Sequence, residues 1–118
     1  MAGLIAEANK ENFRDLVSDG TSLVDVWGTD CQPCMALMPF IEQLAGEREG
    51  ELRVVKLEAP KARRLCIELR VMGLPAFLVF KDGQEVARIN GADLTEARIR
   101  TWLDETLSAG ADAGAGKE

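Results

Sequence analysis

Two cysteines separated by two residues, Cys31 and Cys34, stand between an apolar run and a segment with helical spacing. The preceding run, residues 23–27, is typical of a buried strand that carries one charged residue. Downstream, apolar side chains recur at helical intervals, at Leu37, Met38, Ile41, Leu44 and Ala45. Two thiols at this spacing can close a disulfide across the first turn of a helix, so the context favours a redox function for the pair.

The two thiols differ in what their positions allow. Disulfide exchange requires a thiolate that attacks and a second thiol that resolves the mixed disulfide. At the helix N-terminus, Cys31 has free backbone N–H groups and the helix dipole to lower the pKa of its thiol, and it is expected to be the more exposed. Cys34 lies one turn inward and suits the resolving role, while Pro33 is compatible with a first helical turn.

Asp25 is the second residue that can do chemistry. It lies in the middle of the apolar strand, where a carboxylate costs several kcal/mol unless it is paired or protonated. Burial would raise its pKa toward neutrality, the range that a general base for Cys34 needs. Lys56, on the expected neighbouring strand, could reach it. The alternative interpretations are a surface aspartate on an edge strand and a structural Asp–Lys ion pair.

The absence of histidine excludes several kinds of site. The chain has no Ser–His or Cys–His nucleophile pair and no imidazole metal ligand. Three cysteines are too few for a structural zinc site, although two copies of the chain could hold an iron–sulfur centre between their Cys31 and Cys34 pairs. The third cysteine, Cys66, shares a helical face with apolar residues and is expected in the core rather than as a regulatory thiol or a metal ligand.

The composition indicates a single globular domain of 118 residues with a net charge of −6. This charge, without a cluster of lysines and arginines, argues against nucleic-acid binding. No apolar run reaches the length of about 18 residues that a membrane span needs, and the N-terminus lacks the basic start and apolar stretch of a signal peptide. The cytoplasm is therefore the expected compartment, where cysteine pairs are usually catalytic or metal-binding.

Periodicity and turn residues predict a small mixed-sheet α/β domain. The expected strands cover residues 5–8, 22–27, 52–57, 76–80 and 85–89. The expected helices cover residues 10–18, 34–49 and 62–69, followed by a last helix, capped by Asp93 or Thr95, that runs to Leu107. The crossover from 22 to 57 requires parallel pairing, and Asp82-Gly83 marks a hairpin between antiparallel strands. Pro39 is expected to bend the second helix without ending it.

Taken together, these residues resemble the thioredoxin family. The matching features are Asp25 two positions before Trp27, Cys31-Gln32-Pro33-Cys34, Pro39, Lys56, Gly73-Leu74-Pro75, Lys81-Asp82-Gly83 and Gly91-Ala92. The resemblance spans about residues 4–107 and implies a thioredoxin fold over residues 1–108, an α/β domain with a central mixed sheet of four to five strands and helices on both faces. The Ala/Gly-rich tail, 109–118, is expected to be disordered.

The resemblance also implies roles for individual residues. Pro75 would be the family's cis-proline, packed against the disulfide, and Leu74 would offer its backbone to an incoming substrate strand. Asp25 would act on Cys34 through water, with Lys56 nearby. The other substrate-binding positions would be Trp27, Asp30, Gln32, Pro33, Ala59, Gly73, Gly91 and Ala92. No cofactor beyond the Cys31–Cys34 disulfide is implied, and the partners of this expected monomer are a separate reductase as electron donor and client proteins that contain disulfides.

Three positions depart from the family's usual residues, since Asp30 stands in place of tryptophan, Gln32 in place of glycine and Ala76 in place of threonine. A carboxylate beside Cys31 opposes the thiolate, so we expect Asp30 to raise the pKa of Cys31 and to favour the disulfide over the dithiol. The couple should then be at least as reducing as that of an ordinary thioredoxin. Gln32 adds bulk in the substrate path. The departures at Asp30 and Gln32 concern the range of substrates rather than the type of reaction.

The sequence thus predicts a thiol–disulfide oxidoreductase that reduces protein disulfides. One alternative is a reductase dedicated to a single partner, with Asp30 and Gln32 as the selecting residues. Another is a thioredoxin-fold binding module whose cysteines are idle. The first alternative predicts weak activity toward a general substrate such as insulin, and the second predicts no measurable redox couple.

Overall fold

The structure is a computed structural model that describes residues 5–116, with side chains described through Ala109. Its strands are β1 (Ile5–Ala8), β2 (Thr21–Trp27), β3 (Arg53–Glu58), β4 (Ala76–Lys81) and β5 (Gln84–Asn90). Its helices are α1 (Phe13–Leu16), α2 (Gln32–Ala36), α3 (Met38–Glu47), α4 (Arg63–Glu68) and α5 (Glu96–Gly116), with a 3₁₀ turn (Ala59–Lys61) between β3 and α4. Residues 1–4 and 117–118, the ends of the expected domain and tail, lie outside the described residues.

The five strands form one mixed sheet in the order β1-β3-β2-β4-β5. Strand β3 pairs in parallel with both β1 and β2, as the crossover predicts, whereas β4 is antiparallel to β2 and to β5. The turn between β4 and β5 has positive φ at Asp82 (50°) and Gly83 (87°), the backbone that a two-residue Asp-Gly hairpin favours. The predicted α/β class with a mixed sheet is confirmed.

The sheet carries a hydrophobic cluster on each face, because successive residues of a strand point to opposite sides. On one face, α1 and α4 pack against strand residues that include Val24, Val55 and Leu78. On the other face, α3 and α5 pack against residues that include Leu23 and Val54. Strand β2 is buried throughout residues 22–26, so a polar side chain there is removed from solvent.

The first helix is shorter than predicted, since α1 begins at Phe13 rather than at Lys10 and ends at Leu16. The Asn9 side chain accepts hydrogen bonds from the backbone N–H groups of Glu11 (2.8 Å) and Asn12 (2.8 Å). Asparagine side chains compete with the backbone in this way and favour a turn over a helix. The turn therefore occupies the residues where the helix was expected to start.

The prediction of one bent helix over residues 34–49 is wrong. The segment forms two helices, α2 and α3, and Leu37 separates them. Because Pro39 has no N–H to donate to the Met35 carbonyl, the helical hydrogen-bond ladder is interrupted at this point. Leu37 keeps a right-handed helical backbone (φ −87°, ψ −8°), and its N–H still donates to the Pro33 carbonyl at 3.2 Å. The cysteine pair therefore lies on a short helix of its own.

The end of the chain also differs from expectation. Helix α5 runs to Gly116 and thus extends across most of the segment 109–118, for which the sequence predicts disorder. Alanine is the strongest helix former, and its repetition through this segment allows the helical backbone to continue. Neither α5 nor any other helix within residues 5–116 is both long and apolar enough to cross a membrane.

Candidate active site

The cysteine pair lies where β2 ends and α2 begins. Cys31 and Cys34 form a disulfide, and their Cα atoms are 5.2 Å apart. Cys31 caps the N-terminus of α2, and its N–H donates to the Gly28 carbonyl at 3.1 Å. The backbone N–H of Cys34 donates to Cys31 Sγ at 3.2 Å. A thiolate at Cys31 would therefore have a hydrogen-bond donor already directed at it.

The two sulfur-bearing residues differ in their access to solvent. Cys34 is only 2% exposed, whereas Cys31 is half-buried. Asp30 and Gln32, which flank Cys31, are both exposed, and Pro33 lies in the first turn of α2. A client disulfide can approach Cys31 more readily than Cys34, which is the asymmetry that an attacking and a resolving thiol require.

Asp25 lies in the middle of β2, beside Lys56 of β3 and Phe77 of β4 in the strand register. It is 2% exposed. This burial raises the pKa of its carboxyl from 3.8 to about 7, while the charge of Lys56 acts in the opposite direction. The surface-aspartate interpretation is wrong, because β2 is an interior strand between β3 and β4. In the described part of the chain, Asp25 and Lys56 also form no ion pair within 4.0 Å.

Lys56 rests on Trp27 instead. Its Nζ lies 5.1 Å from the centroid of the Trp27 ring, which is a cation–π contact. A pocket of about 200 Å³ opens beside these two residues. Its other lining residues are Glu7, Ala8, Asn9, Glu58, Lys61 and Ala62. Solvent therefore reaches the lysine that is the register neighbour of Asp25.

The segment 73–75 precedes β4 and lies beside Gly28, three residues before Cys31. The Leu74–Pro75 peptide bond is cis, and Pro75 is buried. A Cβ placed on Gly28 would lie only 3.3 Å from Leu74 Cδ1, so this glycine permits the close approach of Leu74. On the other side, the N–H of Gly91 donates to the Pro75 carbonyl at 3.1 Å. Gly91 has φ of 141°, a conformation that side chains disfavour.

An apolar groove of about 380 Å³ continues from Leu74 along the 3₁₀ turn and α4. Its lining residues are Ala59, Pro60, Arg63, Cys66, Ile67 and Leu74. Among the predicted substrate-binding residues, this groove therefore brings together Ala59 and Leu74. Trp27 lines the pocket at Lys56 instead, and the exposed Ala92 lines neither cavity.

The sequence analysis assigned none of the other four lining residues to a binding surface, namely Pro60, Arg63, Cys66 and Ile67. Ile67 is 75% exposed although it lies on a helix, and Met72, between α4 and Leu74, is 91% exposed. The signal was present in the sequence, because Ile67 lies off the buried face that Leu65, Cys66 and Leu69 form. A large apolar side chain on the polar face of a helix is a feature of binding surfaces when several cluster together.

Cys66 is buried against the core cluster that α1 and α4 share, and this burial raises the pKa of its thiol. Both observations agree with the interpretation of Cys66 as a core residue, since a raised pKa leaves little reactive thiolate. Among residues 5–109, no three His, Cys, Asp or Glu side chains are grouped as metal ligands would be.

Comparison with known proteins identifies the family. A family model described as Thioredoxin matches residues 4–105. The chain belongs to the thioredoxin family. It is 40% identical over 103 residues to the thioredoxin of Acetoanaerobium sticklandii, which covers 86% of this chain and 98% of that protein. It is 38% identical over 105 residues to the thioredoxin of Peptoclostridium acidaminophilum, covering 87% and 96%. Thioredoxin C-2 of Corynebacterium nephridii is 31% identical over 109 residues, covering 91% and 100%.

Family membership and the bonded cysteine pair together make this protein a thiol–disulfide oxidoreductase of the disulfide-reductase type. The five-stranded mixed sheet with helices on both faces is the thioredoxin fold. Thioredoxins work with their active-site disulfide alone, receive electrons from a reductase and pass them to disulfide-containing clients. These findings favour redox chemistry over the redox-idle binding module.

Proposed function

We propose that Cys31 is the nucleophile and Cys34 the resolving thiol of a protein-disulfide reductase. The Cys31 thiolate attacks one sulfur of a client disulfide, breaks that S–S bond and releases the first client thiolate. The Cys34 thiolate then attacks Cys31 Sγ, which releases the second client thiolate and closes the Cys31–Cys34 disulfide. Two electrons pass to the client in each cycle. The half-buried Cys31 at the N-terminus of α2, above a buried Cys34, supports this assignment.

Asp25 is the group that takes the proton of Cys34, through a water molecule, before the resolving step. A general base works best when its pKa is near the working pH, and burial brings the pKa of Asp25 to about 7. Lys56, its neighbour in the strand register, stabilises the carboxylate once the proton has left. The open pocket beside Lys56 supports a route by which that proton returns to water.

The client segment binds as an extended strand against the backbone of Leu74, next to the cis-proline Pro75. Its side chains contact the surface around Cys31, and the residues that we assign to this surface are Trp27, Asp30, Gln32, Pro33, Ala59, Gly73, Gly91 and Ala92. Support comes from the groove that begins at Leu74 and includes Ala59. A separate reductase regenerates the dithiol, and we place the monomeric protein in the cytoplasm, where a reducing couple can turn over.

The experiment is an insulin-reduction assay with dithiothreitol as the electron source. The wild-type protein should accelerate insulin reduction, and Cys31→Ser should abolish the acceleration because no other exposed thiol can attack. Cys66→Ser is the matched control and should keep most of the activity, since the buried Cys66 thiol takes no part in the exchange and serine replaces one atom only. Full activity in Cys31→Ser would contradict the mechanism.

A second candidate, a reductase dedicated to one partner, is favoured by the exposed Asp30 and Gln32 on either side of Cys31. In that case insulin reduction is weak, and a general thioredoxin reductase recharges the protein poorly. Trapping with Cys34→Ser, which cannot resolve mixed disulfides, distinguishes the two. One dominant mixed disulfide supports the dedicated reductase, whereas many different ones support the general enzyme.

A further inference from the structure

Arg88 joins β5 to the segment that leads into the cis-proline. Its Nη2 donates to the Leu69 carbonyl at 2.7 Å, and its Nη1 donates to the Arg70 carbonyl at 3.0 Å. Glu85 accepts hydrogen bonds from the same guanidinium through both of its carboxylate oxygens. Arg88 and Glu85 lie at the surface, where their side chains keep 34% and 27% of their exposure, and four hydrogen bonds together hold the arginine in one orientation.

A β-bulge makes this arrangement possible. Val79 pairs with Ala87, but the next residue, Phe80, pairs with Glu85, so one residue of β5 is left without a register partner. The side chains of residues three apart on a regular strand point to opposite faces of the sheet. The extra residue of a bulge shifts the alternation by one, so that both side chains point to the same face. Glu85 and Arg88 therefore meet on one side of the sheet.

The backbone that Arg88 contacts has an unusual conformation. Arg70 has φ of 58°, in the left-handed region that a residue after a helix often adopts but that normally favours glycine. Its N–H donates to the Ile67 carbonyl and that of Val71 to the Cys66 carbonyl, each at 3.0 Å. A non-glycine residue is disfavoured here, so contacts from elsewhere in the fold must help to hold it.

Strand β5 supports the same segment at two further points. A Cβ placed on Gly73 would lie 3.5 Å from Asn90 Nδ2, so the Asn90 side chain lies directly beside Gly73. The N–H of Gly91 donates to the Pro75 carbonyl at 3.1 Å. Residues 69–75 are therefore held by β5 and by Gly91, the residue that follows it, and Arg88 makes the contacts at the end nearest α4.

We propose that Arg88 is a positioning residue, which fixes the backbone of residues 70–74 so that Leu74 is presented to an incoming client strand. This inference rests on the proposed function, in which the Leu74 backbone binds the client. Arg88 acts through the loop and does not touch the sulfur atoms. Its loss should therefore weaken the capture of a protein client and leave the intrinsic exchange reaction of Cys31 largely intact.

The competing explanation is that Arg88 only stabilises the end of α4, as cations near a helix C-terminus do. Arg53 provides the matched control. Its Nη1 donates to the carbonyl of Leu16, the last residue of α1, at 3.0 Å. Arg53 begins β3, at the opposite end of the parallel strands from Cys31. Arg53→Met therefore removes an arginine-to-carbonyl hydrogen bond of the same kind without affecting the client-binding loop.

The first test compares a protein substrate with a small one in Arg88→Met, Arg88→Lys and Arg53→Met. For insulin, Arg88→Met should raise KM about tenfold and leave kcat within about twofold of wild type. The reason is that residues 70–74 lose order, at a cost in client binding similar to the free energy of about one net hydrogen bond. For 5,5′-dithiobis(2-nitrobenzoate), which is too small to need the loop, the rate should stay within about twofold. Arg88→Lys should recover part of the loss, and Arg53→Met should leave KM unchanged.

The second test is amide hydrogen exchange at residues 71–74, which needs no activity. Exchange there should be at least about fivefold faster in Arg88→Met and unchanged in Arg53→Met. Unchanged exchange in Arg88→Met would overturn the proposal, as would equal losses with insulin and the small disulfide. A wild-type protein that reduces neither insulin nor the small disulfide would reject the proposed function itself, and the exchange measurement would still decide whether Arg88 orders the loop.

Discussion

Two segments meet at the active site, and they are held by different kinds of contact. Residues 28–35, which carry the cysteines, are held by local hydrogen bonds such as those from Cys31 N–H to Gly28 and from Cys34 N–H to Cys31 Sγ. Residues 69–75 are held by Arg88, which lies 18 and 19 residues beyond the carbonyls it contacts. The reacting sulfurs are thus on a locally determined turn, whereas the surface proposed for the client depends on the assembled sheet.

The largest expected effect is on the pH dependence of stability, and it comes from Asp25. The fold removes this side chain from water, because β2 lies between two other strands. The pKa of its carboxyl is 3.8 in the unfolded chain and about 7 in the folded protein. Below about pH 4 the carboxyl is therefore protonated in both the folded and the unfolded state, and its titration does not lower the stability. As the pH rises to about 7, the unfolded chain loses the proton while the folded protein keeps it, and stability falls. Above about pH 7 the free energy of unfolding should be about 4 kcal/mol lower than at pH 4.

Asp25→Asn removes this titration, so its stability relative to wild type should rise by about 4 kcal/mol between pH 4 and pH 8.5. Urea denaturation of the oxidised proteins at both pH values measures the difference. Asp19→Asn, at an exposed position, is the control and should follow the wild type. The same Asp25→Asn variant should release trapped clients more slowly near neutral pH, because Cys34 has lost its base. A pH-independent difference would show that Asp25 is not buried as the structure has it.

A smaller effect is expected from Gly91, one of the distant contacts that hold residues 69–75. An alanine there would adopt φ of 141°, and its Cβ would lie 2.9 Å from Asp93 Oδ1. Gly91→Ala should therefore cost about 2 kcal/mol of stability and should raise KM for insulin. Gly46→Ala, in α3 with open space around it, should instead gain about 1 kcal/mol. Urea denaturation measures both variants, and equal effects at the two glycines would show that Gly91 is not held in a strained conformation.

The smallest effect is expected from Asp30, which acts on the local cysteine turn by its charge alone. Its carboxylate is exposed and therefore strongly screened, so removing it should raise the reduction potential by only about 10 mV. Asp30→Asn tests the charge, and Asp30→Trp restores the residue usual in the family and should shift the potential in the same, more oxidising direction. Equilibration with glutathione measures both. A more reducing variant would refute the role assigned to Asp30.

Much of the fold was predictable because its signals are local. The apolar run of β2, the Asp-Gly hairpin and the apolar stripe of α5 each lie within a few residues, and the structure has all three. The errors were local as well. Asn9 forms a turn where the first helix was expected, and Pro39 divides the second helix because its missing N–H interrupts the hydrogen-bond ladder. Both errors came from weighting periodicity above side-chain chemistry.

The candidate site was predictable only in part. The spacing of Cys31 and Cys34 at a helix start, and the position of Asp25 in an apolar strand, are properties of the sequence. The contribution of Ile67 to the groove was missed, because periodicity assigns the polar face of a helix to solvent. The role proposed for Arg88 has no sequence signal, since an arginine on an edge strand is ordinarily a solvated residue.

The amino-acid sequence alone decides the turn that joins the two sulfurs, because every hydrogen bond of that turn closes over at most four residues. The tertiary structure decides how that turn is used. Asp25 acquires a pKa near 7 because β3 and β4 enclose β2, and residues 69–75 are held because the assembled sheet brings Arg88, Asn90 and Gly91 beside them. Desolvation and long-range pairing depend on which strands become neighbours, and no short stretch of sequence specifies that.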